Sequence, residues 1–245
     1  MAHESSGELL LFPDTFNRFD ELPDGMRKHL EAHRRELRVR AAFRRGNCLW
    51  WQYTWPLHAE LYNQPRILSP FLATANRFAL DPRQRFLGLT DTIVLFPRGK
   101  EVSLEYCLGL LNSKVLTWRF RFIGKLKGNG IREYFPNSVG RIPLRMPTKS
   151  QEDRALCTRV IECVQALNGL VANEEVATAR KEARRQSILA WESKLDDLVR
   201  QIYGLSSSDY ERICEDLSTS DNIYASDDEE NDNDEVESDG LLAVE

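Results

Sequence analysis

The segment from Tyr106 to Pro147, YCLGLLNSKVLTWRFRFIGKLKGNGIREYFPNSVGRIPLRMP, turns from apolar to basic, and that reversal constrains the whole chain. Leu104, Cys107 or Leu108, Leu111 and Val115 recur at three- and four-residue steps, which predicts a buried helix ending near Asn112. A helix of that composition needs a core around it. The part that follows carries eight cations (Lys114, Arg119, Arg121, Lys125, Lys127, Arg132, Arg141, Arg145) against one carboxylate, Glu133, a ribbon suited to a phosphate backbone. Within it, VLTWRFRF reads as a strand or a distorted helix. GKLKGNG, with Gly124, Gly128 and Gly130 in seven positions, predicts a flexible or tightly turning loop. GNGIRE lacks the third glycine of GxGxxG, and nothing matches a Walker-type phosphate loop, so a nucleotide-cofactor loop is disfavoured. Glycines beside lysines bring backbone N–H groups close to a nucleic-acid phosphate, or they form a mobile surface loop, and both readings stand.

The core must come from helical stripes and short strands. Leu156, Val160, Cys163, Val164, Leu167, Leu170 and Val171 share one stripe, and Ile188, Trp191, Leu195, Leu198, Val199 and Ile202 share a second. Two long helices, antiparallel, are predicted, with Gly204 as the stop of the second. Upstream of the basic ribbon, PRILSPFLATANRFALDPRQRFLGLTDTIVLF is broken by Pro65, Pro70, Pro82 and Gly88 and predicts a small antiparallel or mixed sheet. Residues 1 to 22 form a lead-in segment. From Pro23, Met26, Leu30, Leu37 and Ala41 predict one amphipathic helix whose polar face carries Arg34, Arg35, Arg38, Arg40, Arg44 and Arg45. A solvated face and a nucleic-acid contact fit that arginine density equally. CLWWQYTWP predicts an aromatic strand, either core or a stacking platform for an unpaired base.

The formal net charge of −5 averages two unlike regions. From Ser206 onward fifteen acidic residues face one arginine, a net of −14, and residues 1 to 205 carry +9. The cationic body suits a polyanion such as nucleic acid; the tail would repel it or compete with it. The stretch SDDEENDNDEVESD, almost without apolar residues, is expected to be disordered. Five scattered cysteines without a CxxC pair suggest reduced thiols in a cytosolic, cytoplasmic protein, and no apolar run is long enough to span a bilayer. His29 and His33 occur as HLEAH, not HExxH, and lack a third ligand, so no metal site is expected.

The order PRILSPFLATANRFALD, TDTIVLF, LEYCLGLLNSKVL, a glycine-rich segment with IREYF, then RIPLRMP resembles the TaqI-like C-terminal specificity domain of adenine-specific DNA methyltransferases and type IIG restriction-modification enzymes. The closing LDDLVRQIYGLSSSDYERI is similar to the helix that ends such proteins, so the resemblance spans residues 25 to 215. It implies a target-recognition module for double-stranded DNA. It also implies that the chemistry belongs to a separate catalytic domain or subunit that binds S-adenosylmethionine and holds the flipped adenine at an NPPY-type tetrapeptide. This chain contains no such tetrapeptide and no FxGxG-like loop, so no cofactor is expected on it. A fragment, a separate subunit and a remnant all fit that departure.

The expected fold is therefore α+β: a small mixed β-sheet recognition domain (23–147) flanked by an N-terminal helix and a C-terminal pair of long helices (148–215), with a disordered acidic tail (216–245). No catalytic or metal residue is named. Phosphate contacts are expected from Arg34, Arg35, Arg38, Lys114, Lys125 and Lys127, and base contacts from Asn129, Arg132 and Tyr134, with Arg77 and Arg85 beside them. Two alternatives remain: a general RNA- or single-strand-binding protein that stacks bases on Trp50, Trp51 and Trp55, and a remnant or scaffold protein that hides the ribbon against the tail. An intramolecular contest between −14 and +9 is a further expectation, tested by deleting residues 216 to 245.

Overall fold

A computed structural model describes residues 11–55, 63–83, 92–97, 103–172 and 178–230. The chain divides into two compact units, Met1–Pro65 with Pro82–Leu87, and Arg66–Asp81 with Gly88–Glu245.

In the first unit the amphipathic pattern after Pro23 does not give one helix. It gives three short ones, α1 (Asp24–Ala32), α2 (Arg34–Arg38) and α3 (Ala41–Arg44). The break after α2 has a visible cause: the Arg40 guanidinium leaves the helical path and donates to the carbonyls of Leu37, Trp50 and Gln52 at 3.0, 2.9 and 2.8 Å. That ties the end of α2 to the tryptophan segment, which is irregular, not a strand. Trp51 is buried with Leu22 and Leu30, Phe19 packs on both Trp50 and Trp51, and Trp55 is 81% exposed.

The second unit is built on α4 (Leu104–Leu111), which lies against α7 (Gln151–Ala172), and on the close packing of α7 with α8 (Thr178–Ile202). Ser103 caps α4 by accepting from the Tyr106 N–H, and its apolar faces are buried nearly all round, including Leu110 and Leu111. Gly109 allows the contact: a Cβ there would stand 2.7 Å from Val160 Cγ1 and 3.2 Å from Leu195 Cδ1. Both α7 and α8 bury the middle of their predicted stripes, Val160, Cys163 and Val164 against Leu195, Leu198, Val199 and Ile202. They run antiparallel, since Arg184, near the start of α8, donates to the carbonyls of Leu170 and Val171 at the end of α7. Gly204, at φ +65°, ends α8 as expected.

Two three-stranded antiparallel sheets complete this unit. Sheet A orders β3 (Ala79–Asp81), β1 (Arg66–Pro70) and β4 (Thr92–Leu95), with Arg66 directly across from Asp81 in a buried ion pair of 2.9 Å. Sheet B orders β2 (Leu72–Ala73), β6 (Ile131–Glu133) and β5 (Lys125–Gly128). VLTWRFRF, for which a strand or a distorted helix was open, is the helix α5 (Lys114–Phe120), and α6 (Pro136–Val139) follows the hairpin. A last helix, α9 (Ser207–Glu230), reaches well into the stretch expected to be disordered from 216. Its early part is held: Trp118 Nε1 donates to Asp216 at 2.9 Å, Arg121 donates to the carbonyls of Asp216 and Leu217, and Leu217 packs on the core. Residues 231–245 lie outside the described residues. Among those described, no helix is long and apolar enough to cross a membrane.

Candidate nucleic-acid interface

The glycine-rich segment is a β-hairpin, not an open loop. Gly128 pairs with Ile131 across the two residues Asn129 and Gly130, whose φ values are +42° and +70°. Positive φ at both central positions is the type I′ geometry that Asn-Gly favours, because its twist matches that of the flanking strands. The Asn-Gly dipeptide was the available signal, and the glycine density around it obscured it.

Register then sorts the side chains by face. Directly paired residues of antiparallel strands share a face. Leu72, Glu133 and Lys125 are partners across the three strands and form one row, while Ala73, Arg132 and Leu126 form the next row on the opposite face. Between Leu126 and Gly128 the register shifts, and Lys127 joins the first face, its ammonium 2.8 Å from Glu133. Lys125, Lys127 and Leu72 are exposed there, whereas Ala73 and Tyr134 on the opposite face are buried and Leu126, at its hairpin end, is 48% exposed, so the first is the outward face. Glu133 is buried beneath them, with 11% of its side chain exposed.

The inner face explains Tyr134, which was expected to read a base. It is 1% exposed, stacks on Phe120 with ring centroids 4.2 Å apart, and donates its hydroxyl to Asn76 Oδ1 at 2.9 Å. Burial holds its phenol well above the usual tyrosine range. This residue is a core fastener and cannot reach a base edge. Asn76 in turn donates to the Leu111 carbonyl at the end of α4, and Asn112 exchanges two 2.8 Å hydrogen bonds with the backbone of Phe78. The side chains within ATANRF, LGLLNS and IREYF therefore bolt sheet B to α4.

Other expected contacts divide sharply. Asn129, at the hairpin tip, and Lys125 and Lys127 beside it are brought together. Arg132 is half-buried on the opposite face and donates to the Gly124 carbonyl at 3.3 Å, so it supports the hairpin base. Arg77 is exposed and lies close enough to act electrostatically on the Tyr134 phenol. Lys114 opens α5, where its backbone N–H donates to Asp196 at 2.9 Å and its ammonium sits 3.7 Å from the same carboxylate. It is drawn into a helix cap. Arg85 lies outside the described residues.

In the first unit Arg34 pairs with Glu31 at 2.6 Å and lies 5.0 Å over the Trp50 ring, Arg38 lies 5.7 Å over Phe43, and Arg35 is exposed. Trp50, Trp51 and Trp55 do not form one platform, since one is buried, one is covered by Phe19 and Arg34, and one is free. His33 faces Glu36 at 3.0 Å, and among the described residues no group of three or more His, Cys, Asp or Glu side chains is placed to hold a metal ion.

Residues 28–144, from α1 to just past α6, match the TaqI-like C-terminal specificity domain. Over that segment, just under half of its length, the chain resembles this family. Its fold is similar to that of the type IIL restriction-modification enzyme MmeI, solved in complex with DNA, at 14% identity and a TM-score of 0.55 over 81% of this chain. The chain spans about a quarter (26%) of the MmeI chain. No curated protein matches it. α7, α8 and α9 lie beyond the segment that carries the match.

Proposed function

We propose that the chain is a sequence-specific DNA-binding module, the part of an adenine-specific methyltransferase or restriction-modification system that selects the site. The observation that carries this reading is the match to the TaqI-like C-terminal specificity domain over residues 28–144, a segment that contains the whole hairpin with its cationic outward face. A two-stranded ribbon fits the major groove, where base edges are distinguishable. Lys125 and Lys127 neutralise phosphates, and Asn129 at the turn reaches deepest. Arg77 and Arg35 add exposed charge on their own units.

Under this reading S-adenosylmethionine and methyl transfer belong to a catalytic domain or subunit distinct from these residues. The test is selection of bound duplexes from a random pool with the purified chain, followed by titration in salt. A preferred site bound at least a hundredfold more tightly than scrambled duplex is expected. Equal binding to all sequences, or a preference for single strands, refutes the reading.

A further inference from the structure

The outward face of sheet B holds two apolar side chains that the fold does not use. Leu72, in the same row as Glu133 and Lys125, is 48% exposed, although β2 is only two residues long and its neighbour Ala73 is buried. Phe135 follows the inward-facing Tyr134 in extended backbone, at φ −68° and ψ 148°, which turns it back outward; it is 50% exposed and packs edge-on with Phe71, at 5.3 Å between centroids. One exposed leucine needs no explanation. Two apolar groups bordering a Lys125, Lys127 and Glu133 cluster make a surface that is cationic at one side and greasy at the other. Cations draw the face onto a phosphate backbone, and Glu133 opposes a purely electrostatic fit. In the major groove the one apolar group presented by a base pair is the thymine C5-methyl.

We propose that Leu72 and Phe135 are specificity-determining residues that pack on thymine C5-methyl groups, while Lys125 and Lys127 hold the flanking phosphates. The inference rests on the DNA-module reading and adds the base it recognises. A methyl group transferred from water to an apolar contact changes binding about fourfold, the equivalent of ~0.8 kcal/mol.

The experiment uses the full chain and its selected duplex, with each thymine replaced in turn by deoxyuridine, which lacks only the methyl. Wild-type protein should lose about fourfold in affinity at one or two positions. Leu72→Ala and Phe135→Ala, both at exposed positions and checked for folding by circular dichroism, should bind thymine and deoxyuridine equally at those positions. Lys125→Ala should weaken every sequence alike and keep the methyl effect. A preferred duplex with no deoxyuridine-sensitive position overturns this proposal alone, as does a methyl effect that survives both apolar substitutions. Absence of any preferred duplex overturns the parent reading and this one with it. Tighter binding to single strands, lost in Phe135→Ala, also overturns it, since Phe135 would then be a stacking surface.

Discussion

Replacing Lys127 by alanine separates a phosphate contact from a surface charge more cleanly than any other change on the hairpin. Its ammonium lies 2.8 Å from Glu133, whose side chain is 11% exposed, so the substitution both deletes a cation and uncovers a carboxylate. The first effect shrinks the slope of log K against log salt by about 0.9, close to a threefold difference in salt sensitivity between about 50 and about 200 mM. The second is repulsion. A carboxylate about 6 Å from a phosphate, in an effective dielectric between about 20 and about 80, costs ~0.7 to 3 kcal/mol, about threefold to a hundredfold in affinity. Lys125, exposed and without Glu133's close pairing, should show only the first effect when replaced. Anisotropy titrations of labelled duplex over a salt series should therefore rank Lys127→Ala below Lys125→Ala. The double variant Lys127→Ala with Glu133→Gln should return to the Lys125→Ala level. Equal losses in the two single variants, or no rescue by Glu133→Gln, would refute the reasoning.

Tyr134→Phe should lower stability to chemical denaturation by about 1 to 2 kcal/mol, because Asn76 loses its buried donor, and should leave the preferred DNA site unchanged. Gly109→Ala should destabilise by up to about 2 kcal/mol, overpacking against Val160, Val164 and Leu195 outweighing the better helix propensity, and Val160→Ala should relieve it. Asp196 is held above its ordinary value of 3.8 by burial, against the Lys114 N–H and ammonium, so the folded chain retains its proton more readily than the unfolded one. Its contribution to stability is present below that ordinary value and is lost as pH rises through the raised one; Asp196→Asn should abolish this part of the pH profile, read from denaturation midpoints in a pH series. Deleting residues 221–245 removes eleven acidic side chains while sparing the Asp216 and Leu217 anchors, and should tighten non-specific DNA binding at low salt; unchanged affinity would remove any role for the tail's charge.

What could be read from the sequence was what local periodicity controls. α4, α7 and α8 have long apolar stripes, and the structure buries the middle of each, with Gly204 ending α8. The stretch after Pro23 has the same period and yet breaks into three helices; at the break after α2, Arg40 finds carbonyl partners ten and twelve residues away that no local pattern announces. Tyr134 looked exposed because it follows a glycine-rich turn, whereas its hydroxyl partner Asn76 lies 58 residues earlier. Composition suggested that α9 should dissolve at 216, but Trp118 and Arg121, nearly a hundred residues upstream, capture that turn. At the candidate interface, Lys125, Lys127 and Asn129 were visible as charge and turn chemistry. Leu72 and Phe135 were not, since facing outward is a consequence of register.

The residues that fasten sheet B to α4 and those proposed to read DNA are different residues in and around the same small sheet. Asn76 spends its polar groups on Tyr134 and on the Leu111 carbonyl at the end of α4, and Asn112 spends its own on the backbone of Phe78, so replacing any of the three leaves a donor or acceptor unpaired, at about 1 to 3 kcal/mol. Leu72, Lys125 and Phe135 are exposed to solvent, where substitutions usually change stability by less than about 0.5 kcal/mol. Alternation along β2 and β6 is what keeps the two sets apart: consecutive residues point to opposite faces, so Ala73 and Tyr134 anchor the sheet while Leu72 and Phe135 remain exposed. A recognition surface arranged in this way can be rewritten at its outward positions without loosening the scaffold beneath. Glu133 is where the two proposed roles meet, being buried by its neighbours yet paired to the outward-facing Lys127, and changes there should move stability and binding together.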